Sequence, residues 1–231
     1  MMSAHIIPAA SNALMINYLE SQGFKDVYLD SNLVTAQLLG NCKTTTLEAA
    51  AYVSYVQYMA RITNMAVISD GDFNIQTPSE LTHYVGELIT SGCQSVIISD
   101  ADCQDDIRVF EAKLIAALAG VSNSQSQIIV KLTGFAIYGL AGLEGRIRVI
   151  QNNNIAAILI SNITNIDIPV IQSIQTSIAI NLIIDNPNIN YAGAEQLKPT
   201  AILDSYNVRR ALTRSAETMS QNIIFKMFMG R

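Results

Sequence analysis

Charge, histidine and cysteine are all scarce in this chain of 231 residues, and each shortage removes a class of function. Only 14% of the residues are charged while 50% are hydrophobic, so much of the chain has to lie inside a core, which excludes a disordered protein. The formal net charge of -5 gives no electrostatic reason to bind nucleic acid or an anionic membrane surface. Cys42, Cys93 and Cys103 form no C-x-x-C pair, so neither a disulfide framework nor a zinc site is indicated. His5 and His83 are the only histidines; His83 reads as a surface or packing residue and His5 as incidental. Long apolar runs that would span a bilayer are missing as well. The start, Met1-Met2-Ser3-Ala4-His5-Ile6-Ile7, lacks the basic end and long apolar run of a signal peptide. The expectation is a soluble, cytoplasmic protein with no nucleic-acid partner and no membrane partner.

What the chain does have is repetition. Short runs rich in Ile and Val recur about every 30 residues, at 6–9, 26–29, 65–69, 95–99, 127–132, 156–160, 177–183 and 200–203. The stretches between them read as helices at 12–22, 46–63, 78–91, 105–119, 143–152 and 169–176, with a short one at 192–197 and a last one at about 206–229. Thr77-Pro78-Ser79-Glu80 puts proline in a first helical turn, and Gly23, Gly92 and Gly120 read as helix ends. Tyr52, Tyr55 and Tyr58 share one face of the 46–63 helix, for packing against a neighbouring helix or subunit. Eight strands alternating with helices require parallel pairing, which predicts a single (β/α)8 TIM barrel over residues 1–231. A doubly wound open sheet is the runner-up, although no G-x-G-x-x-G follows any strand.

In such a barrel the chemistry lies at the C-terminal strand ends. The third strand, Val67-Ile68-Ser69, runs straight into Asp70-Gly71-Asp72, two carboxylates one residue apart where a hard cation such as Mg2+ can sit. The plainer alternative is that the pair caps the next helix or turns with Gly71. The other strand ends supply Asp30 and Ser31, Ser99 and Asp100, Lys131 and Thr133, Ser161 and Asn162, Asn181 and Asp185, and Asp204.

The order of these landmarks resembles the isocitrate lyase and phosphoenolpyruvate mutase superfamily over nearly the whole chain. Ser21-Gln22-Gly23-Phe24 feeding Asp26-Val27-Tyr28-Leu29 resembles that family's entry to its second strand, and residues 31–40 its substrate-carboxylate loop. Residues 67–74 are similar to its D-A-D-T-G-Y-G motif, Val96-Ile97-Ile98-Ser99-Asp100 to its I-E-D strand, Arg146 to its E-R helix and Asn181 to the Asn of its seventh strand. The resemblance implies a (β/α)8 barrel that cleaves or forms a C–C or P–C bond next to a carboxylate, with Mg2+ stabilising an enolate. It also implies Asp70 as the direct metal ligand and Asp72 as a ligand through water. Ser31, Asn32, Leu33, Lys131 and Asn181 would hold a small carboxylate or 2-oxo acid, the amides of Asn32 and Leu33 from one side and Lys131 from the other. Association into a homo-dimer or homo-tetramer is expected from the family and from the apolar tail at 223–229.

The departures are as specific as the matches. Lys43 stands where the family carries a metal-shell Asp, Ser99 where it carries Glu, and Asn74 and Gln76 where it carries glycines. The gating loop after Asp100 is cut to a few residues, and the Arg of the fifth strand becomes Lys131, which keeps the charge without the bidentate fork. With Lys43 nearby, its ammonium can compensate Asp70 and Asp72 without a metal. Two readings therefore stand side by side: a divergent, Mg2+-dependent lyase, with no catalytic residue assigned, and a non-catalytic pseudoenzyme barrel acting as an oligomeric binding or regulatory protein.

Overall fold

The computed structural model describes residues 4–40, 47–71, 75, 77–122, 124–155 and 157–211. Strands β1 (His5–Ala10), β2 (Asp26–Leu29), β3 (Ala66–Asp70), β4 (Ser95–Ser99), β5 (Gln127–Leu132), β6 (Ala157–Ile160), β7 (Ala179–Ile184) and β8 (Ala201–Asp204) close into one parallel barrel in chain order. Helices α1 (Ala13–Ser21), α2 (Ser31–Leu39), α3 (Ala49–Arg61), α4 (Pro78–Thr90), α5 (Ile107–Val121), α6 (Phe135–Asn152), α7 (Ile168–Gln172) and α8 (Tyr191–Gln196) lie between them. The protein is thus a (β/α)8 barrel. No helix of the described residues is long and apolar enough to cross a membrane.

The Ile- and Val-rich runs become strands because both of their faces are covered. Outward residues such as Val67, Val96, Ile98 and Val130 pack under Ile16, Val56, Leu81, Phe110, Leu114 and Leu143 of the helices. Inward residues such as Ile7, Tyr28, Ile68, Ile97, Leu159 and Leu203 form a second, separate core. Burying each Leu or Ile side chain in these cores contributes roughly 1.5–3 kcal/mol. Asn12, Thr77, Asp106 and Asn190 accept backbone N–H bonds at the starts of α1, α4, α5 and α8.

Following the strand pairing once around the barrel returns to β1 eight residues out of register, the stagger of a barrel whose interior fills in layers of four. Alternation along each strand then assigns the layers. Ile7, Ile68, Ile129 and Asn181 form one, Tyr28, Ile97, Leu159 and Leu203 the next toward the C-terminal ends, and Ala9, Asp70, Lys131 and Ile183 the third. Asp30, Ser99, Ser161 and Ser205 follow these at the rim.

Four expectations are corrected. Ser31–Leu39 are helix α2, not a loop: Asp30 caps its start, and Gly40 ends it in the left-handed region at φ 72°. Helix α6 begins at Phe135, well before position 143, and bends at Gly139 (φ 61°). Gly120 lies inside α5, where a Cβ would meet Thr82 O of α4 at 2.8 Å, so it serves close helix packing and not a helix end. The tyrosine face divides: Tyr52 is buried with its hydroxyl on Leu29 O, Tyr55 donates to Ser11 O, and Tyr58 is exposed.

Candidate functional site

The mouth is organised by Asp70, the last residue of β3, 1% exposed. Tyr28, one layer below, sends its hydroxyl up to both carboxylate oxygens at 2.8 Å. Ser31, the first residue of α2, donates to Asp70 Oδ2 from its amide at 2.9 Å and from its hydroxyl at 2.7 Å. The Nζ of Lys131, in the same layer as Asp70, stands 3.8 Å from Oδ1. The Asp70 amide donates to the Tyr52 hydroxyl at 3.3 Å, which fixes the strand end against α3. A carboxylate with so many donors and a cation is stable in a low dielectric, because charge-assisted hydrogen bonds replace the water it has lost.

Asp30 sits beside this cluster and is held differently. Its Oδ1 accepts the amides of Asn32 at 2.8 Å and Leu33 at 3.1 Å, and its Oδ2 accepts no hydrogen bond from the described residues. Burial, and then the charge of Asp70, push the Asp30 carboxyl from 3.8 up to about 6, against the opposing pull of the Leu33 amide, Lys131 and the Asn32 amide. Burial and the same two carboxylates push the Tyr28 phenol well above its usual range, so Tyr28 is a permanent donor.

Ser31, Asp70 and Lys131 are therefore brought together at the mouth. The amides of Asn32 and Leu33 are near it but already donate to Asp30. Asn181 points into the barrel two layers below Asp70, where its oxygen accepts from Thr200 Oγ1 at 2.6 Å and Ala201 N at 2.8 Å, at the beginning of β8. Asp72 and Lys43, and the tail from position 212, lie outside the described residues. Tyr28 is the residue that sequence reasoning missed. Its signal was alternation: it is an inward residue paired with Ile68, two positions before Asp70.

A second buried cluster holds the shortened connection after β4. Asp100 accepts from Thr133 N at 2.7 Å, Thr133 Oγ1 at 2.8 Å and the Tyr138 hydroxyl at 2.9 Å. Arg146 Nε approaches Asp100 Oδ2 at 3.3 Å without hydrogen-bond geometry, so that contact is purely electrostatic. The same guanidinium donates to the carbonyls of Cys103 and Gln104 and lies over the Tyr138 ring at 4.0 Å. Lys113 ties the turn from the other side, through Ser99 O and Asp102. His5 and His83 pair with Asp26 and Glu87 away from the mouth.

Would these residues hold Mg2+? No group of three or more His, Cys, Asp or Glu side chains able to hold a metal occurs among the described residues. A divalent ion on Asp70 would have to displace Tyr28 and Ser31 from its oxygens and stand beside an ammonium 3.8 Å away. The described residues do not fit the metal.

No family model matches the chain, and no curated protein sequence matches it. Solved structures do. A 2,3-dimethylmalate lyase, described as a PEP mutase/isocitrate lyase superfamily member, superposes with a TM-score of 0.84 at 17% identity, covering 99% of this chain and 81% of that one. A phosphoenolpyruvate phosphomutase from Streptomyces platensis subsp. rosaceus gives 0.82 at 17%, covering 100% and 85%. A phosphonopyruvate hydrolase in complex with oxalate and Mg++ gives 0.80 at 17%, covering 94% and 81%. At such identity the likeness is one of fold; the 2,3-dimethylmalate lyase is described as a member of the superfamily that the motifs resemble.

Proposed function

We propose that the chain is a divergent member of the PEP mutase/isocitrate lyase superfamily. On this reading it binds a small carboxylate or 2-oxo acid at the C-terminal mouth and breaks a C–C (or P–C) bond next to the carboxylate. The observation that carries the proposal is the placement of Lys131 in one interior layer with Asp70, its side chain 18% exposed. A ligand carboxylate entering the mouth meets an ammonium already held in position by Asp70. The hydroxyls of Ser31, Ser99 and Ser161 stand at the neighbouring strand ends. Asn32 and Leu33 contribute indirectly, by fixing Asp30, and Asn181 is left with a packing role. Oxalate in the phosphonopyruvate hydrolase structure is a ligand of the expected size and charge.

The second reading, a pseudoenzyme, is favoured by one observation: the oxygens of Asp70 are satisfied from within the protein and need no ligand. One experiment separates the two. Oxalate is titrated with and without Mg2+ against the wild type and Lys131→Met, and the melting temperature is followed. Ligand at about 100 times Kd adds ~2.7 kcal/mol, which for a chain of this length raises Tm by roughly 5–10 °C. The proposal expects that rise without Mg2+, its loss in Lys131→Met, and consumption of a small 2-oxo acid by the wild type. Binding without turnover leaves the pseudoenzyme, and no rise at all removes the lyase reading.

A further inference from the structure

The residues at the mouth leave a chemical question. Breaking a C–C bond beside a carbonyl needs an electron sink, and the described residues give a metal ion no shell. An amine can supply the sink instead, by condensing with the carbonyl. We propose that Lys131 forms an imine with the carbonyl of a 2-oxo acid bound at the mouth, and that the resulting iminium takes up the electron pair of the breaking bond. This inference rests on the reading of the mouth as a 2-oxo acid site.

Position supports it first. Lys131 is the penultimate residue of β5, its stem enclosed in the barrel and its head directed at the mouth, where it is 18% exposed. Asp70 holds that head from 3.8 Å, and Asp70 is itself fixed by Tyr28 and Ser31, so the nitrogen is oriented before the substrate arrives. A proton acceptor is also present. Asp30, one layer nearer the mouth, keeps Oδ2 without a hydrogen-bond partner among the described residues.

The steps balance for a 4-hydroxy-2-oxo acid. The ammonium of Lys131 gives a proton to Asp30, and its nitrogen attacks the ketone carbon. The carbinolamine takes that proton back from Asp30 on its hydroxyl and loses water, leaving the protonated imine. Asp30 then accepts the proton of the substrate's own hydroxyl. The bond between the third and fourth carbons breaks, an aldehyde leaves, and the electron pair becomes the double bond of an enamine. The enamine takes the proton back from Asp30 at its terminal carbon, and water releases pyruvate and returns Lys131 as the ammonium. No oxidant, reductant or further reactant enters.

The test treats the full chain with pyruvate and sodium borohydride, followed by intact mass measurement and peptide mapping. The expected result is one reduced pyruvyl adduct per chain, on the peptide that contains Lys131, absent from Lys131→Arg and suppressed when oxalate is added first. Arginine keeps the cation and cannot form the imine, so Lys131→Arg should still melt higher with oxalate, which also shows that it is folded. An oxalate-induced rise in the wild type with no adduct, or with an adduct on another lysine, overturns the imine and leaves the binding reading standing. If neither oxalate nor pyruvate has any effect, both fall.

Discussion

Replacing Tyr28 by phenylalanine removes one hydroxyl from the centre of the mouth and leaves everything else in place. The ring is fully packed in the layer with Ile97, Leu159 and Leu203, so the apolar burial is unchanged. What is lost is a donor shared at 2.8 Å by both oxygens of a buried carboxylate. A hydrogen bond to a charged group contributes about 1.5–3 kcal/mol net. Because Asp70 is 1% exposed, water replaces that donor poorly, and the upper half of that range is expected. At about 2–4 °C per kcal/mol for a chain of this length, Tyr28→Phe should melt roughly 4–12 °C below the wild type. The urea midpoint should fall with an unchanged slope.

The same change tests the saturation of Asp70. In Tyr28→Phe, two lone pairs face a space the hydroxyl used to fill, and Mg2+ should restore part of the lost stability there while leaving the wild type unmoved. In a double-mutant cycle with Asp70→Asn, the hydroxyl should matter less against a neutral partner, giving a coupling of about 1 kcal/mol. A loss below ~0.5 kcal/mol in Tyr28→Phe, or additivity within ~0.3–0.5 kcal/mol, would refute the tyrosine–carboxylate contact as a stabilising element. Stabilisation of the wild type by Mg2+ would refute the saturated carboxylate.

Three further outcomes follow from the geometry. The Asp30 carboxyl is raised in the folded protein to about 6, so the folded state binds a proton that the unfolded state has released. Its favourable contribution is complete below about pH 4 and is lost as pH rises through 6; Asp30→Asn should abolish that fall in stability, read from urea midpoints between pH 4 and 7. Gly120→Ala should cost about 1–3 kcal/mol by overpacking, since its Cβ would meet Thr82 O and Val85 Cβ at 2.8 Å. Gly86→Ala, whose nearest neighbour is 3.7 Å away, should gain up to ~1 kcal/mol of helix propensity. Arg146→Leu should destabilise by roughly 3–5 kcal/mol, because it strands the buried Asp100 and frees the carbonyls of Cys103 and Gln104. Faster proteolysis at residues 101–106 than in the wild type should accompany it.

The strands were legible because every one is covered on both faces, so each appears as a bare apolar run whose limits lie within a few residues of the observed ones. Helix α2 was legible too, through Asp30 as N-cap and Gly40 as terminator, but the likeness to a substrate loop took precedence over those local signals. Asn181 was misplaced by the strand bounds. With the strand read as 177–183 it stood near the end, whereas in Ala179–Ile184 it is the third of six residues and belongs to a lower layer. Gly120 could not be assigned, since a helix end and a helix contact both select glycine and only the partner, α4, distinguishes them. The pairing of Tyr28 with Asp70 depends on strand register, which periodicity alone does not give.

Two buried carboxylates stand at the ends of adjacent strands, Asp70 facing into the barrel and Asp100 facing out. Each takes a hydrogen bond from a tyrosine, Tyr28 or Tyr138, and among the described residues each faces a cation, Lys131 or Arg146. The cations differ in a way that separates scaffold from site. Arg146 is 3% exposed, stacked on two aromatic rings and bonded to two carbonyls, and a guanidinium cannot give up its proton at any useful pH. Lys131 is the more exposed cation, on a flexible stem, and an ammonium can become a nucleophile once a neighbouring base takes its proton. The outer pair therefore fixes the turn after β4, and the inner pair presents a reactive nitrogen to the mouth. An arginine at position 131 would keep the charge balance of the barrel and the attraction for a carboxylate. It would remove the only step for which lysine is required, and for that reason Lys131→Arg discriminates better than any neutral substitution there.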